Sequence, residues 1–210
     1  MRLGTTRLAV AALLATLPAA AHAATVGYTL TISGSDSNVP TLTLVNDSDA
    51  GITLDAFSFS IGLLSRHFDL SDSNAGSFNV GSGSFARAGG SSRVDVVEYT
   101  FGGFGAAESF RFTLDVDLDP SANSVQNYKN VFWNNGDGPN SVMNVAFSNG
   151  RSFSLTLPDQ PSTTPNSYQF SQSYTDPGTA VPLPSTAAAG LSLLGLLGMK
   201  RAGRRRAATC

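Results

Sequence analysis

The sequence predicts an all-β domain between residues 24 and 176, folded as an antiparallel β-sandwich or jelly roll. Apolar and polar residues alternate along seven or eight segments of this region. A period of two places one set of side chains on a buried face of a strand and the other set on a wet face. Clusters of Gly, Asn and Asp separate the segments, as turns between short strands require. No window of ten residues shows the 3.6-residue spacing of a helix.

The predicted strands follow one another along the chain. They cover residues 26–32, 42–44, 52–61, 94–101, 110–118, 145–147, 153–157 and 168–174. Asn149 and Gly150 lie between two of these strands and favour a two-residue type I′ hairpin turn. Residues 71–92, rich in Gly and Ser, are predicted to form either a long loop or an irregular hairpin around Phe78 and Phe85.

Composition and charge exclude several classes of protein. A single Cys, at position 210, excludes an internal disulfide, and two His argue against a multi-histidine metal site. All 15 acidic residues lie between Asp36 and Asp176, together with six of the 13 basic residues, so this region carries a formal charge of −9. A nucleic-acid-binding module needs a basic face against phosphates, so we expect no nucleic-acid partner.

The N-terminus has the organisation of a secretory signal peptide. Two arginines precede the apolar run 8–17, and small residues end with Ala21 and Ala23 in the A-x-A pattern. We expect signal peptidase to remove residues 1–23 and to leave Ala24 as the first residue. The alternative is an uncleaved anchor, but a helix that crosses the bilayer needs about 20 apolar residues.

Residues 177–210 predict a second membrane signal in three parts. Its first part is an extended strip, Val181, Pro182, Leu183, Pro184 and Ser185, in which two alternate prolines forbid a helix. An uncharged apolar stretch, residues 186–199, follows as a short transmembrane helix. The last part is a basic tail at residues 200–206, with Lys200, Arg201, Arg204, Arg205 and Arg206. Such a tail holds its end of the helix in the cytoplasm.

This order of strip, helix and tail resembles the PEP-CTERM protein-sorting signal of exopolysaccharide-producing Gram-negative bacteria, in its VPLPA-type variant. Ser185 stands where that variant has Ala, and Leu183 replaces the Glu of the Pro-Glu-Pro form. The resemblance implies an exosortase, a multi-spanning membrane cysteine protease, that cuts near the strip and releases or transfers the exported domain. The alternative is a plain C-terminal anchor with the same orientation. A strip placed directly against a short, Gly-containing helix favours the sorting signal.

The two end segments predict where the protein works. We expect it to be held briefly in the inner membrane with its domain in the periplasm, and then to reach the cell surface or extracellular matrix. Residues 46–52, 57–59 and 102–117 loosely resemble β-sandwich domains common in PEP-CTERM proteins, which are similar to bacterial surface and carbohydrate-binding modules. The resemblance implies a structural or adhesive component of an exopolysaccharide biofilm, and we expect no enzymatic activity.

An acidic motif suggests a second function, metal binding. Asp115, Asp117 and Asp119 form D-x-D-x-D, and carboxylates two residues apart on a strand point to the same side. Three such oxygen ligands predict a Ca²⁺ site, although the Gly and Glu of an EF-hand loop are missing. The alternative is a solvated sheet face that alternates with the apolar residues of the same strand.

Two further groups of residues suggest binding or catalysis. Tyr128 and Trp133 lie among several Asn and Gln residues, which is typical of a carbohydrate-binding face, while the alternative places both rings in the core. His67 is a candidate general base for a surface hydrolase, the third functional prediction. The alternative is a structural histidine, since no Gly-x-Ser-x-Gly elbow occurs in a strand-to-helix context.

Overall fold

The computed structural model describes residues 23–35, 37–63, 65–88, 93–119, 127–134, 138–160 and 165–177. Ala23–Asp176 form one compact unit of the chain, and all the elements below belong to it. The predicted hydrophobic part of the signal peptide and the whole predicted sorting signal from residue 181 onwards lie outside the described residues. Within the described residues, no helix is long and apolar enough to cross a membrane.

The all-β prediction is confirmed, because the described residues form thirteen strands and one short helix. The strands of the first half are β1 (Ala24–Ser33), β2 (Thr41–Asn46), β3 (Leu54–Ser60), β4 (Arg66–Asp69), β5 (Ser77–Val80), β6 (Ser84–Ala88) and β7 (Arg93–Val94). The second half contains β8 (Val96–Phe104), β9 (Ser109–Thr113), β10 (Asp115–Leu118), α1 (Tyr128–Phe132), β11 (Val142–Phe147), β12 (Ser152–Thr156) and β13 (Ser167–Asp176).

Two five-stranded antiparallel sheets contain most of these strands. The first sheet has the order β13-β1-β2-β9-β5, and the second has the order β12-β11-β3-β8-β6. The apolar faces of the two sheets pack together: the ring of Phe57 on β3 lies 5.7 Å from that of Phe112 on β9. Alternate burial along β2, where Leu42 and Leu44 are buried, shows how the period-two pattern supplies this face.

Phe110 on β9 lies at the centre of the aromatic part of the core and is fully buried. Its ring contacts rings from both sheets at centroid distances between 4.8 and 5.8 Å. The partners are Phe78, Phe85, Tyr99, Phe101 and Phe112. Tilted and edge-on ring pairs of this kind add stabilisation beyond the apolar area that they bury.

Phe78 and Phe85 do not lie on the two strands of one hairpin. β5 pairs with β9 in the first sheet, whereas β6 pairs with β8 in the second sheet, so the chain crosses from one sheet to the other between them. Gly81 turns the chain at this crossing with a φ of 101°, a conformation that other residues rarely adopt. The crossing lets Phe78 and Phe85 approach the same central ring from different sheets.

The predicted strand 110–118 is divided into β9 and β10 at Leu114. β9 pairs with β2 in the first sheet, whereas β10 pairs with β4, which in turn pairs with β7. These three short strands form a separate sheet with the order β10-β4-β7, called the small sheet here. The apolar alternation continues through the break, since Leu114 and Val116 are both fully buried. Sequence periodicity therefore gave no sign of the change of sheet.

The turn between β11 and β12 also differs from its prediction. A type I′ turn requires a positive φ at both central residues, but at this turn only Gly150 has one, with a φ of 81°. The amide of Gly150 donates to the carbonyl of Phe147, and the amide of Phe147 donates to the carbonyl of Arg151. The connection is therefore a three-residue loop closed by a left-handed glycine, the next commonest way of joining two strands.

Replacing Phe110 with Ala should lower the free energy of unfolding by about 3–5 kcal/mol, because the cavity lies where five rings meet. Urea unfolding followed by far-UV circular dichroism measures this loss. Val80→Ala is the matched control: Val80 is 54 % exposed at the edge of the first sheet, so its loss should stay within about 0.5 kcal/mol. Equal losses in the two variants would contradict a core centred on Phe110.

Candidate functional site

The small sheet places ionisable side chains from two strands on one face. Register pairs Asp117 with His67 and Asp115 with Asp69 across β10 and β4. Directly opposed residues of an antiparallel pair lie on the same face, with Cβ atoms about 5 Å apart. We call His67, Asp69, Asp115 and Asp117 the β4–β10 cluster.

The β4–β10 cluster is buried, although it consists of ionisable groups. The exposed fractions are 2 % for His67, 4 % for Asp69, 5 % for Asp115 and 1 % for Asp117. The alternative prediction, that the aspartates of this strand lie on a solvated sheet face, is therefore wrong for Asp115 and Asp117. The reason is that the small sheet is covered on both sides, so both faces of β10 are enclosed. Asp119, just after β10, is different, because its side chain is 44 % exposed.

His67 and Asp117 have buried polar atoms without a hydrogen-bond partner among the described residues. His67 Nδ1 lies 2.6 Å from Asp119 Oδ1, but without the direction of a hydrogen bond. In the part of the chain that is described, neither ring nitrogen of His67 has a hydrogen-bond partner, and neither does Oδ2 of Asp117. A buried polar group without a partner costs about 1–3 kcal/mol, and more when the group is charged. These atoms therefore need an explanation.

Asp69 and Asp115 are instead held in place by hydrogen bonds. Both the amide (2.8 Å) and the hydroxyl (2.5 Å) of Ser71 donate to Oδ1 of Asp69. Nδ2 of Asn38 donates to Oδ1 of Asp115. Ser73 Oγ donates to the carbonyl of Asp69 and accepts from the amide of Asp115, which links β4 to β10. These bonds orient the two carboxylates before any ligand arrives.

Burial and mutual repulsion change the pKa values of the three carboxyl groups in different directions. Burial, followed by repulsion from Asp117, Asp72 and Asp69, raises the pKa of Asp115 to about 6. Burial also raises the pKa of Asp117, despite attraction to His67. Burial acts in the same direction on Asp69, but the hydrogen bonds from Ser71 and the positive charges nearby outweigh it, so its pKa is lowered.

The cluster can supply ligands to a metal ion. One ligand atom from each of His67, Asp69 and Asp117 lies within 4.8 Å of the others. The sequence pointed to Asp117 through D-x-D-x-D, and the structure places Asp115 beside it and Asp119 against His67. It did not point to Asp69, or to His67 as a ligand. Their alternation in β4 was visible, but the register that joins β4 to β10 was not. The Ca²⁺ site itself stays a prediction.

The predicted carbohydrate-binding face at Tyr128 and Trp133 is wrong. Both rings are fully buried, so neither has a free face on which a sugar could stack. Trp133 packs against Tyr168 with ring centroids 4.2 Å apart, and the hydroxyl of Tyr128 donates to the carbonyl of Gly34. The alternative, that these aromatic residues belong to the core, is the one the structure supports. The burial of His67 likewise gives no support to the hydrolase prediction.

A shallow groove lies elsewhere, on the outer face of the second sheet. Side chains of β3, β8, β11 and β12 line it, among them Ser58, Glu98, Thr100, Asn144 and Ser152. Asn144 Nδ2 donates to Ser58 Oγ across two strands. The groove presents hydroxyl and amide groups, but the rings of Phe57 and Tyr99 beneath it are buried in the core.

Comparisons of the chain with protein-family models, with curated proteins and with solved structures find no match. Its function therefore has to be inferred from its own sequence and geometry. Two features offer a basis for this inference: the pairing of the first strand with the last strand of the folded unit, and the β4–β10 cluster.

The raised pKa of Asp115 predicts a pH dependence of stability. Between about pH 4 and pH 6 the folded chain holds a proton that the unfolded chain has lost, so stability from this group falls as the pH rises. The unfolding free energy of the wild type, measured against that of Asp115→Asn in EDTA, should fall by about 1–3 kcal/mol across this window. Urea denaturation at several pH values measures the difference.

Asp69→Asn is the control with the opposite sign. Because the pKa of Asp69 is lowered in the folded chain, its stabilisation is present above the unfolded pKa and is lost as the pH falls towards the folded value. The free energy of unfolding of the wild type should therefore rise relative to that of Asp69→Asn as the pH rises through the acid range. If the difference in unfolding free energy between the wild type and Asp115→Asn did not depend on pH, this would contradict the burial of an ionisable carboxyl group at position 115.

Proposed function

We propose that the protein is an exported β-sandwich that is freed from the inner membrane by processing and then serves as a structural or adhesive component of an exopolysaccharide matrix. Its proposed partners are signal peptidase, an exosortase-type membrane protease and the exopolysaccharide. The proposal rests on the two end segments of the sequence and on the position of the folded unit between them.

The observation that carries the proposal is the pairing of β1 with β13. Ala24 is paired with Asp176, and the antiparallel register continues without interruption to Ser33 and Ser167. β1 begins directly after the expected signal-peptidase site, and β13 ends before the Pro-rich strip. Two cuts at these places would leave every described strand intact. A released domain must fold without its targeting segments, and this arrangement meets that condition.

The chemistry of the outer surface suits a hydrated polysaccharide matrix. Apart from Tyr174 and Asp176, the exposed positions along the two edge strands β12 and β13 carry Ser, Thr and Gln. Hydroxyl and amide groups both donate and accept hydrogen bonds, as sugar hydroxyls do. The one Cys of the chain, Cys210, lies in the segment that processing would remove. The released domain would then carry no thiol, which suits an oxidising exterior.

The mass of the mature protein should report both cuts. We expect an N-terminus at Ala24, because the preceding small residues fit signal peptidase. We expect the C-terminus near residues 181–185 and therefore beyond the last strand. Intact-mass spectrometry of the protein collected from the medium of an exosortase-containing Gram-negative host measures both ends. An intact chain of 210 residues dissolved in the cytosol would contradict export.

Replacing Pro182 and Pro184 with Ala should stop release. The variant strip could continue the predicted helix that follows it, so the protease would no longer meet an extended substrate. Fractionation and immunoblotting of the same host should find the precursor in the inner membrane, with at least a tenfold loss from the medium.

The matched control replaces two prolines inside the domain, Pro158 and Pro165, which are both exposed. This double variant should be released as the wild type is, which separates the loss of the strip from the loss of prolines in general. Normal release of the Pro182 and Pro184 variant would reject the strip as the sorting signal and would indicate a different protease site. Retention of the wild type itself in the inner membrane would favour a plain anchor.

A further inference from the structure

The β4–β10 cluster has more negative charge than the described protein around it neutralises. Asp69, Asp115 and Asp117 lie together on one buried face, and Arg93, opposite Asp69 on β7, is the basic residue that the register adds to this face. Buried charges are normally paired or bound to a metal ion, because an isolated charge loses its hydration. A divalent cation would supply the missing positive charge.

The unsatisfied atoms of the cluster indicate where such a cation would lie. His67 and Asp117 are 98–99 % buried, and they retain ring nitrogens and Oδ2 without hydrogen bonds in the described structure. Both face the same side of the small sheet as the Asp69 carboxylate, whose two hydrogen bonds from Ser71 use Oδ1. A lone pair that no donor satisfies is available to a metal ion.

The spacing of these atoms fits a small coordination sphere. In a tetrahedral site with ligands about 2.1 Å from the ion, neighbouring ligands lie about 3.4 Å apart. The three ligand atoms here already lie within 4.8 Å of one another, so small rotations of the side chains bring them into range. Water or the carboxylate of Asp115 can complete the shell.

The donor set distinguishes between metals. Ca²⁺ takes six to eight oxygen ligands, whereas an imidazole nitrogen with carboxylates suits first-row transition ions. Asp119 lies beside His67 Nδ1, in the position of the outer carboxylate that orients metal-binding histidines and leaves Nε2 to the ion. Because Asp119 is partly exposed, it also provides a polar entry path for the metal ion.

We propose that His67, Asp69 and Asp117 bind a divalent transition-metal ion of the Zn²⁺ or Mn²⁺ type, through Nε2 of the imidazole and one oxygen of each carboxylate. The Asp119 carboxylate lies 2.6 Å from Nδ1, so Nε2 is the ring nitrogen left for the ion. The bound ion links β4 to β10 and so fixes the small sheet against the end of the sandwich. This site does not depend on the proposed export.

The test uses the full chain, purified in detergent without a histidine tag, in a Cys210→Ser background that removes the one thiol. After EDTA treatment, the protein is titrated with ZnCl₂, MnCl₂ and CaCl₂ at pH 7.5 by isothermal calorimetry. We expect one Zn²⁺ or Mn²⁺ ion per chain, with Ca²⁺ at least tenfold weaker. We also expect the thermal unfolding midpoint to rise with the bound ion.

His67→Gln and Asp117→Asn should each weaken the binding of Zn²⁺ or Mn²⁺ at least tenfold. Asp117→Asn keeps the shape of the side chain but removes a buried charge, so this variant should fold at least as well as the metal-free wild type. The matched controls are His22→Gln, in the predicted signal peptide, and Asp55→Asn, an exposed position on β3. Both should bind as the wild type does.

Three results would overturn the proposal. The first is a wild-type chain that binds none of the tested ions at one per chain. The second is a folded Asp117→Asn or His67→Gln variant with wild-type affinity. The third is Ca²⁺ binding tighter than that of Zn²⁺ and Mn²⁺ and indifferent to His67→Gln, which would assign the cluster to an oxygen-only site.

Discussion

Burial of one aromatic core between two antiparallel sheets is the constraint on which the rest of the structure depends. Few charged side chains are available to this chain, so its stability must come from apolar area and ring contacts. Phe110 makes the point, because rings from both sheets meet it. The same requirement explains why the chain crosses between sheets after β5: the crossing delivers Phe78 and Phe85 to a single centre.

The small sheet differs from the two large sheets because it buries ionisable side chains. Its strands continue strands of both large sheets, since β10 follows β9 of the first sheet and β4 follows β3 of the second. Asp115, Val116 and Asp117 are all buried, so β10 has no wet face to which the two aspartates can point. Local alternation and tertiary burial disagree there, and such disagreement is common at functional sites. A bound cation would neutralise part of this buried negative charge and would link β4 to β10.

The pairing of β1 with β13 relates the fold to the proposed export and processing of the protein. Both ends of the folded unit lie at the same end of one sheet, because Ala24 is opposite Asp176. The proposed targeting segments can therefore be attached and removed without the loss of a described strand. A metal site inside the released domain would add stability where no disulfide is available, since the chain has a single Cys.

Periodicity in the sequence was sufficient to predict the all-β class and strands such as β1 and β2, because the face that a side chain occupies depends on local alternation alone. It did not predict where strands 110–118 and 71–92 divide between sheets. The sheet that each segment joins depends on which distant strand it pairs with. The alternation of apolar and polar residues within a segment does not identify that strand. The candidate site shows the same division: D-x-D-x-D was visible, but His67 and Asp69 joined it only through the register of β4 with β10. Packing, which is a property of the whole chain, decided that these charges are buried.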